Sequence, residues 1–396
     1  MKKILFMVSS MNIGGVEKSL ISLLSTIPKD KYEITVLTLE KKGGFLEYIP
    51  SWVKVEEANW FNEIKPIIMQ PPQETIKKYF DNKYYVKIPG FIASYLIAKR
   101  FDNRHMYYKN ILKSIPHNSE KYDVAIAYAG PTEIIDTYIA HKVKAEKKIG
   151  WIHFDISKHC VNRKLYSELY KRFDKIFAVS EESKIKLNEQ IKGIEEKSEV
   201  FLNIVSKDII KEMAKEEVHF DNNFKGIKIV TVGRLSKEKG QDLGIKTLKR
   251  LKTDGYDVKW YCVGDGNSKS EYKNLIKKYG LEEDFILLGS KTNPYPYMKN
   301  ADIYVQTSRH EGYCLTLAEA KCLNKPIITT NFTGACEQII DNKTGFIVRC
   351  NEEEIYTKIK RLIDNRSYMR KFEENLTNIK LDRTSEVNKL YNYIGN

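Results

Sequence analysis

Residues Thr307 to Lys321 read TSRHEGYCLTLAEAK, and the placement of this stretch decides the fold. It follows Asp302 to Gln306 (DIYVQ), a run of strand length and β-branched character, and passes through Gly312 into an apolar segment of helical length. A strand, a glycine turn and a helix put the turn at the carboxyl edge of a parallel sheet, where α/β proteins hold ligands. Two carboxylates, Glu311 and Glu319, flank the helix start with seven residues between them. Helix N-terminal N–H groups carry partial positive charge, so Gly312, Tyr313, Cys314 and Leu315 are candidates to hold a phosphate. On spacing alone, a solvated helix with one glutamate in its first turn fits equally well.

The same strand, turn and helix unit recurs along the chain. Lys2 to Ser10 is a continuous apolar run followed by Gly14, Gly15 and a helix with apolar residues at Leu20, Ile21, Leu23 and Leu24. Glycines here let backbone approach a ligand that a β-carbon would exclude. The pattern is not GxGxxG, which disfavours a nicotinamide cofactor. Strands are expected at Glu33 to Leu39, Asp123 to Tyr128, Lys148 to His153, Lys175 to Val179 and Glu199 to Val205. The fifth of these six ends at Ser180, an expected helix N-cap. His153 and Asp155 fall at a carboxyl edge, and an imidazole of ordinary pKa can bond a hydroxyl or stabilise nearby charge.

Ser206 to Lys225 is polar and reads as a linker. A second series begins at Ile227 to Val232 and continues through Val258 to Val263, Phe285 to Leu288, Asp302 to Gln306, Lys325 to Thr330 and Gly345 to Val348. Arg234 and Lys239 lie five positions apart across the first turn of this series, so both cations can converge above the sheet. A guanidinium fork and an ammonium together neutralise a diphosphate. With no DxD-like carboxylate pair placed to hold a metal, no metal and no cofactor are expected.

A chain of 396 residues accommodates two domains. They are drawn as 1–205 and 206–378, with a helical tail at 379–396. No apolar run of twenty residues and no signal peptide is apparent, so a cytoplasmic location is expected. The six cysteines show no metal spacing and read as reduced, mostly buried thiols. The net charge of +14 is spread among 52 acidic residues without a nucleic-acid motif, so no nucleic acid is expected as partner. From Trp60 to Ile115, ten Lys and Arg stand against four Asp and Glu, among nine aromatics between Tyr79 and Tyr108. That mixture suits an anionic membrane surface, peripherally bound, or a helical insertion packed on the first domain.

Seven motifs in order, Gly14-Gly15, WIHFD at Trp151–Asp155, AVS at Ala178–Ser180, GRLSKEKGQD at Gly233–Asp242, VGDG at Val263–Gly266, EGYCLTLAEA at Glu311–Ala320 and TGF at Thr344–Phe346, span nearly the whole chain. As a set they resemble retaining glycosyltransferases of the GT-B fold, family GT4, whose E-x7-E pair Glu311 and Glu319 match. The resemblance implies an α/β protein of two Rossmann-like, doubly wound domains facing a central cleft, with the tail helix returning to the first. It further implies a nucleotide-diphosphate sugar as donor, UDP-linked by preference, and a hydroxyl of a lipid-linked glycan as acceptor. By resemblance, Arg234, Lys239 and the N–H groups from Gly312 to Leu315 hold the diphosphate, and Glu319 the ribose. Glu311 and His153 act at the sugar, Gly264 and Lys291 lie on the nucleobase side, and Gly14 and Gly15 shape the acceptor side. Most relatives carry a proline and a glycine around the asparagine where this chain has Leu202-Asn203-Ile204-Val205, which leaves Asn203 without an assigned role. A nucleotide-sugar epimerase of the same architecture and an inactive carbohydrate-binding relative remain open alternatives.

Overall fold

The computed structural model describes residues 1–154, 156–158, 161–218, 223–379 and 384–395. Asp155 and Cys160 lie outside the described residues. Two compact units emerge, one of Met1–Asn12, Val16–Leu202 and Val387–Asn396, the other of Ile13–Gly15 and Asn203–Glu386.

The first unit is built on a seven-stranded parallel sheet of order β3-β2-β1-β4-β5-β6-β7. Its strands are β1 (Lys2–Val8), β2 (Tyr32–Thr38), β3 (Lys54–Glu57), β4 (Lys121–Gly130), β5 (Lys144–Ile152), β6 (Lys175–Ala178) and β7 (Ser198–Val200). Runs such as Leu5 to Val8 and Val124 to Ala127 are fully buried, as strands covered on both faces must be. Strand order reverses direction between β1 and β4, and the carboxyl ends there form the place where such sheets bind ligands. β3 (KVEE) escapes sequence reading because an exposed edge strand needs no apolar alternation. EVFLNIV forms a ladder only at β7; Phe201 to Val205 run on without one, though Phe201, Ile204 and Val205 are buried. Between β3 and β4 stand four helices, Phe61–Met69, Pro72–Asp81, Lys87–Phe101 and His105–Ile111, which reach the core through Phe61, Ile64, Phe91 and Tyr108.

The last helix, Val387–Ile394, belongs to this unit. Tyr391 stacks on Tyr32, with ring centroids 5.7 Å apart, and donates its hydroxyl to Thr26 O at 3.0 Å. Lys147 and Lys389 donate to Tyr393 O and Val200 O at 2.6 and 2.9 Å.

The second unit has a six-stranded parallel sheet of order β10-β9-β8-β11-β12-β13. The strands are β8 (Ile227–Val232), β9 (Val258–Val263), β10 (Phe285–Gly289), β11 (Ile303–Gln306), β12 (Ile327–Thr330) and β13 (Phe346–Val348). Trp260 anchors the core, donating its indole N–H to Thr231 Oγ1 at 3.0 Å. A β-carbon at Gly244, in the helix Gln241–Thr253, would sit 3.0 Å from the Trp260 ring, tighter than side chains ordinarily pack. The polar stretch read as a linker is helical over Lys207–Met213, capped by Ser206, whose hydroxyl accepts from Ile209 N at 3.4 Å. The helix Glu352–Asp364 is followed by Ser367–Thr377, which buries Phe372 and Leu376.

Candidate active site

The carboxyl ends of β8, β9, β11 and β12 lead into loops packed so closely that glycine is obligatory at two crossings. A β-carbon at Gly264, whose φ is +151°, would lie 2.0 Å from Gly233 O, and one at Gly240 would lie 2.2 Å from Thr307 O. Gly264, expected on the nucleobase side, is thus already required by contact between two loops of the chain. Thr307 donates to Lys239 O at 2.8 Å, and Arg309 grips Asp242 through two bonds of 2.8 and 2.7 Å while its N–H meets Glu238 O. This bidentate clamp fixes the segment that carries Lys239.

Lys239 and Glu311, 72 positions apart, form an ion pair through Nζ and Oε1, with side chains 26% and 10% exposed. Burial works against the ammonium, but the Glu311 carboxylate outweighs it, so the Lys239 pKa is raised and the charge retained. Arg234 lowers the same pKa, which places the two cations within mutual reach. Arg234 is exposed, and among the described residues no carboxylate pairs with it. The sequence anticipated two cations converging on a ligand; the structure adds that one of them is held by the carboxylate expected to meet the sugar.

Gly312, Tyr313, Cys314 and Leu315 are all buried. Cys314, with φ +61°, caps the helix Leu315–Cys322 in the left-handed region, and Gln338 donates to Tyr313 O and, at 3.4 Å, to Cys314 O. Its thiol pKa is raised by burial, so Cys314 stays uncharged beside the ion pair. Glu319, one helical face further on, is 2% exposed and accepts the Tyr295 hydroxyl on Oε1 at 3.1 Å. Lys291 holds its ammonium 6.0 Å from the centre of the Tyr297 ring. Of the cysteines described, Cys262, Cys314 and Cys322 are buried, whereas Cys336 and Cys350 are exposed.

Within the first unit, His153 follows β5 as expected but does not have the near-neutral pKa assumed for it. Burial pushes it down to about 3 against a hydrogen bond to the Tyr128 backbone. The ring lies against Tyr128 and Trp151, with Nε2 buried and no partner among the described residues. His153 is therefore a neutral hydrogen-bonding group and cannot stabilise an anion by charge. Gly15, which groups with the second unit, opens the helix Gly15–Thr26, and apart from its chain neighbours and its own helix backbone no protein atom lies within 4 Å of where its β-carbon would be.

Nearby, a cavity of about 380 Å³ opens at the carboxyl ends of β1 and β2, with Ser9, Asn12, Glu40 and Glu133 on its polar side and Phe61 and Met69 on its apolar side. Asp136, bonded to the lining residue Thr132, is fully buried, and desolvation lifts its pKa to about 7 although Thr132 N and Tyr166 Oη donate to Oδ2 at 2.8 and 3.2 Å. The folded state holds a proton here that the unfolded chain releases above about pH 4, so this group's stabilisation falls as pH rises from about 4 to 7. His153 acts oppositely: its folded pKa of about 3 lies below the ordinary 6.5 or so, and stability is lost as pH falls below about 6.5. Asp136→Asn is accordingly expected to gain stability over the wild type between pH 5 and pH 8, read as melting temperature. An identical difference at both pH values would contradict the raised pKa.

The nine aromatics of the insertion divide. Tyr79, Phe91, Tyr95, Tyr107 and Tyr108 form a connected ring cluster on the core. Phe80, Tyr84, Tyr85 and Phe101 are exposed together with Val86, at 95%, and Leu96. Lys77, Lys78, Lys83, Lys87, Lys99 and Arg100 are exposed among them. Among the described residues, no helix is long and apolar enough to cross a membrane.

Residues 214–378 match the family model of glycosyl transferases group 1. That match covers the part of the chain that carries Arg234, Lys239, Glu311 and Glu319. One relative is the N-acetylgalactosamine-N,N'-diacetylbacillosaminyl-diphospho-undecaprenol 4-alpha-N-acetylgalactosaminyltransferase of Campylobacter jejuni, 31% identical over 52% of this chain and 55% of its own. Another from that organism, a GalNAc-alpha-(1->4)-GalNAc-alpha-(1->3)-diNAcBac-PP-undecaprenol alpha-1,4-N-acetyl-D-galactosaminyltransferase, is 24% identical over 94% of this chain and 91% of its own. The chain spans about half the length of curated relatives matched at 31% identity. Among solved structures, Anabaena Alr3699/HepE in complex with UDP and glucose superposes with a TM-score of 0.73 at 20% identity, covering 100% of this chain and 99% of that one. Such a likeness shows the fold, GT-B with two Rossmann-like units.

Sequence reading of the group 1 domain missed Arg309, Asp242 and Tyr295, which hold the candidate residues in place. Only one signal for such groups was legible: Gln306, an amide ending a strand that is otherwise apolar.

Proposed function

We propose that the chain is a retaining glycosyltransferase that moves a sugar from a nucleoside-diphosphate sugar, UDP-linked by preference, to a hydroxyl of a lipid-linked glycan in cell-surface polysaccharide synthesis. The observation that carries this reading is the grouping of Arg234, Lys239 and Glu311 on loops at the carboxyl edge of the group 1 domain. Arg234 and Lys239 take up the charge that develops on the leaving diphosphate, with the N–H groups from Gly312 to Leu315 beside them. Glu311 bonds the sugar and stabilises positive charge at the anomeric carbon, and Glu319 accepts from the ribose hydroxyls. His153 serves as a neutral partner for a sugar hydroxyl, and Gly14 and Gly15 shape the acceptor side. Two cations replace a metal in this scheme.

Incubation with a panel of nucleotide sugars and membrane lipid extract, read as released nucleotide, tests the reading. Release is expected only with acceptor present and is expected to persist in excess EDTA. Turnover of donor without acceptor would favour an epimerase, and activity lost to EDTA but restored by Mg2+ would refute the role given to the cations.

The lipid-linked acceptor rests on what the two Campylobacter jejuni relatives are named for and on the insertion's surface. Exposed apolar side chains interleaved with lysines suit the headgroup region of an anionic membrane on its cytoplasmic face, at about 1 kcal/mol for each basic residue near the surface. Vesicle co-sedimentation is expected to need anionic lipid, to fall with salt, and to weaken when Lys77, Lys78, Lys83 and Lys87 become Ser. Indifference to lipid charge and salt would leave the insertion without this role.

A further inference from the structure

Glu311 stands at the end of a buried chain of hydrogen bonds. Tyr304, on β11 and 0% exposed, keeps its proton because burial raises its pKa well above the ordinary value. Its hydroxyl donates to Gln306 Oε1 at 2.6 Å. With its oxygen so engaged, Gln306 turns its amide nitrogen to Ser308 Oγ at 2.7 Å and, more distantly, to Glu311 Oε1 at 3.4 Å. Ser308 accepts there and has one hydrogen left, which it donates to Glu311 Oε1 at 2.8 Å. Lys239 donates to the same oxygen. Three donors therefore gather on Oε1, while among the described residues none reaches Oε2.

The arrangement follows from the strand. Tyr304 and Gln306 are two residues apart and share a face of β11, and Ser308 extends that line into the loop. Gln306 and Ser308 are each 1% exposed, so water does not compete for these bonds.

We propose that Gln306 and Ser308 are positioning residues that anchor Glu311 by Oε1 and leave Oε2 to meet the donor sugar. The proposal rests on the transferase reading of Glu311. It has one mechanistic consequence: when Lys239 turns from Glu311 to a phosphate, Ser308 and Gln306 keep the carboxylate in place.

Ser308→Ala is expected to lower kcat about tenfold, the worth of one hydrogen bond to a charged group. Affinity for bare UDP, by calorimetry, is expected to stay within about twofold of wild type, because in this scheme Ser308 acts on the sugar through Glu311. Ser308→Thr, which keeps the hydroxyl, restores kcat to within about threefold. Gln306→Met removes the donor at the other end and is expected to give the same split, which covers the case in which Ser308→Ala does not fold. Unchanged kcat in both variants, or a UDP affinity that falls as far as kcat, overturns the proposal. A denaturation cycle of Ser308→Ala with Glu311→Gln gives a readout independent of activity: the midpoint loss of the double variant is expected to be smaller than the sum of the singles. Wild-type inactivity on every nucleotide sugar would refute the transferase reading alone. The cycle then decides the anchoring, and additive losses overturn it.

Discussion

Replacing Lys239 with alanine is expected to lower kcat by about a hundredfold or more, the range for a lost electrostatic stabiliser of a developing anion. Arg234→Ala should do the same for the same reason. The two variants part company in stability, and the structure says how. Arg234 is exposed and, among the described residues, bound to no carboxylate, so its removal should leave unfolding unchanged. Lys239 neutralises Glu311, whose side chain is 10% exposed, and without it a carboxylate remains in a poorly solvated place. That loss should cost about 1–3 kcal/mol, the penalty for a buried group deprived of its partner. Steady-state kinetics with chemical denaturation separates the effects. Turnover within threefold of wild type for both variants would remove the phosphate assignment, and equal stabilities would show that the ion pair contributes nothing in solution.

Glu311→Gln should likewise reduce kcat about a hundredfold or more, yet leave the affinity for bare UDP intact or tighter. The reason lies in the ion pair: in the free protein, Lys239 must leave Glu311 to reach a phosphate, and a neutral glutamine holds it less firmly. Glu319→Gln should show the reverse pattern, weakening UDP itself, since a ribose contact is made in the ground state as well as the transition state. Glutamine is the substitution of choice at 319 because it still offers an oxygen to the buried Tyr295 hydroxyl. Calorimetry with UDP and kinetics with the full donor distinguish the two. An equal affinity loss in both variants would contradict the division of labour between the glutamates.

The two parallel α/β units and the loops that matter were legible in the local order of residues. Apolar runs such as those of β1, β8 and β11 need no partner to announce a strand buried on both faces, and each is followed by a turn whose glycine, cation or carboxylate is local information. Elements without a local apolar signature, such as the charged edge strand β3, were lost, and a polar stretch was read as linker where a serine-capped helix forms. Which groups meet was not legible there. Lys239 and Glu311 are far apart in the chain, as are Tyr295 and Glu319, and their pairing depends on strands brought side by side. The state of His153 was equally beyond the sequence, because an imidazole's charge is set by what surrounds it, here Tyr128 and Trp151. So was the division of the insertion's aromatics, since whether a ring is covered or left to solvent depends on what the fold lays against it.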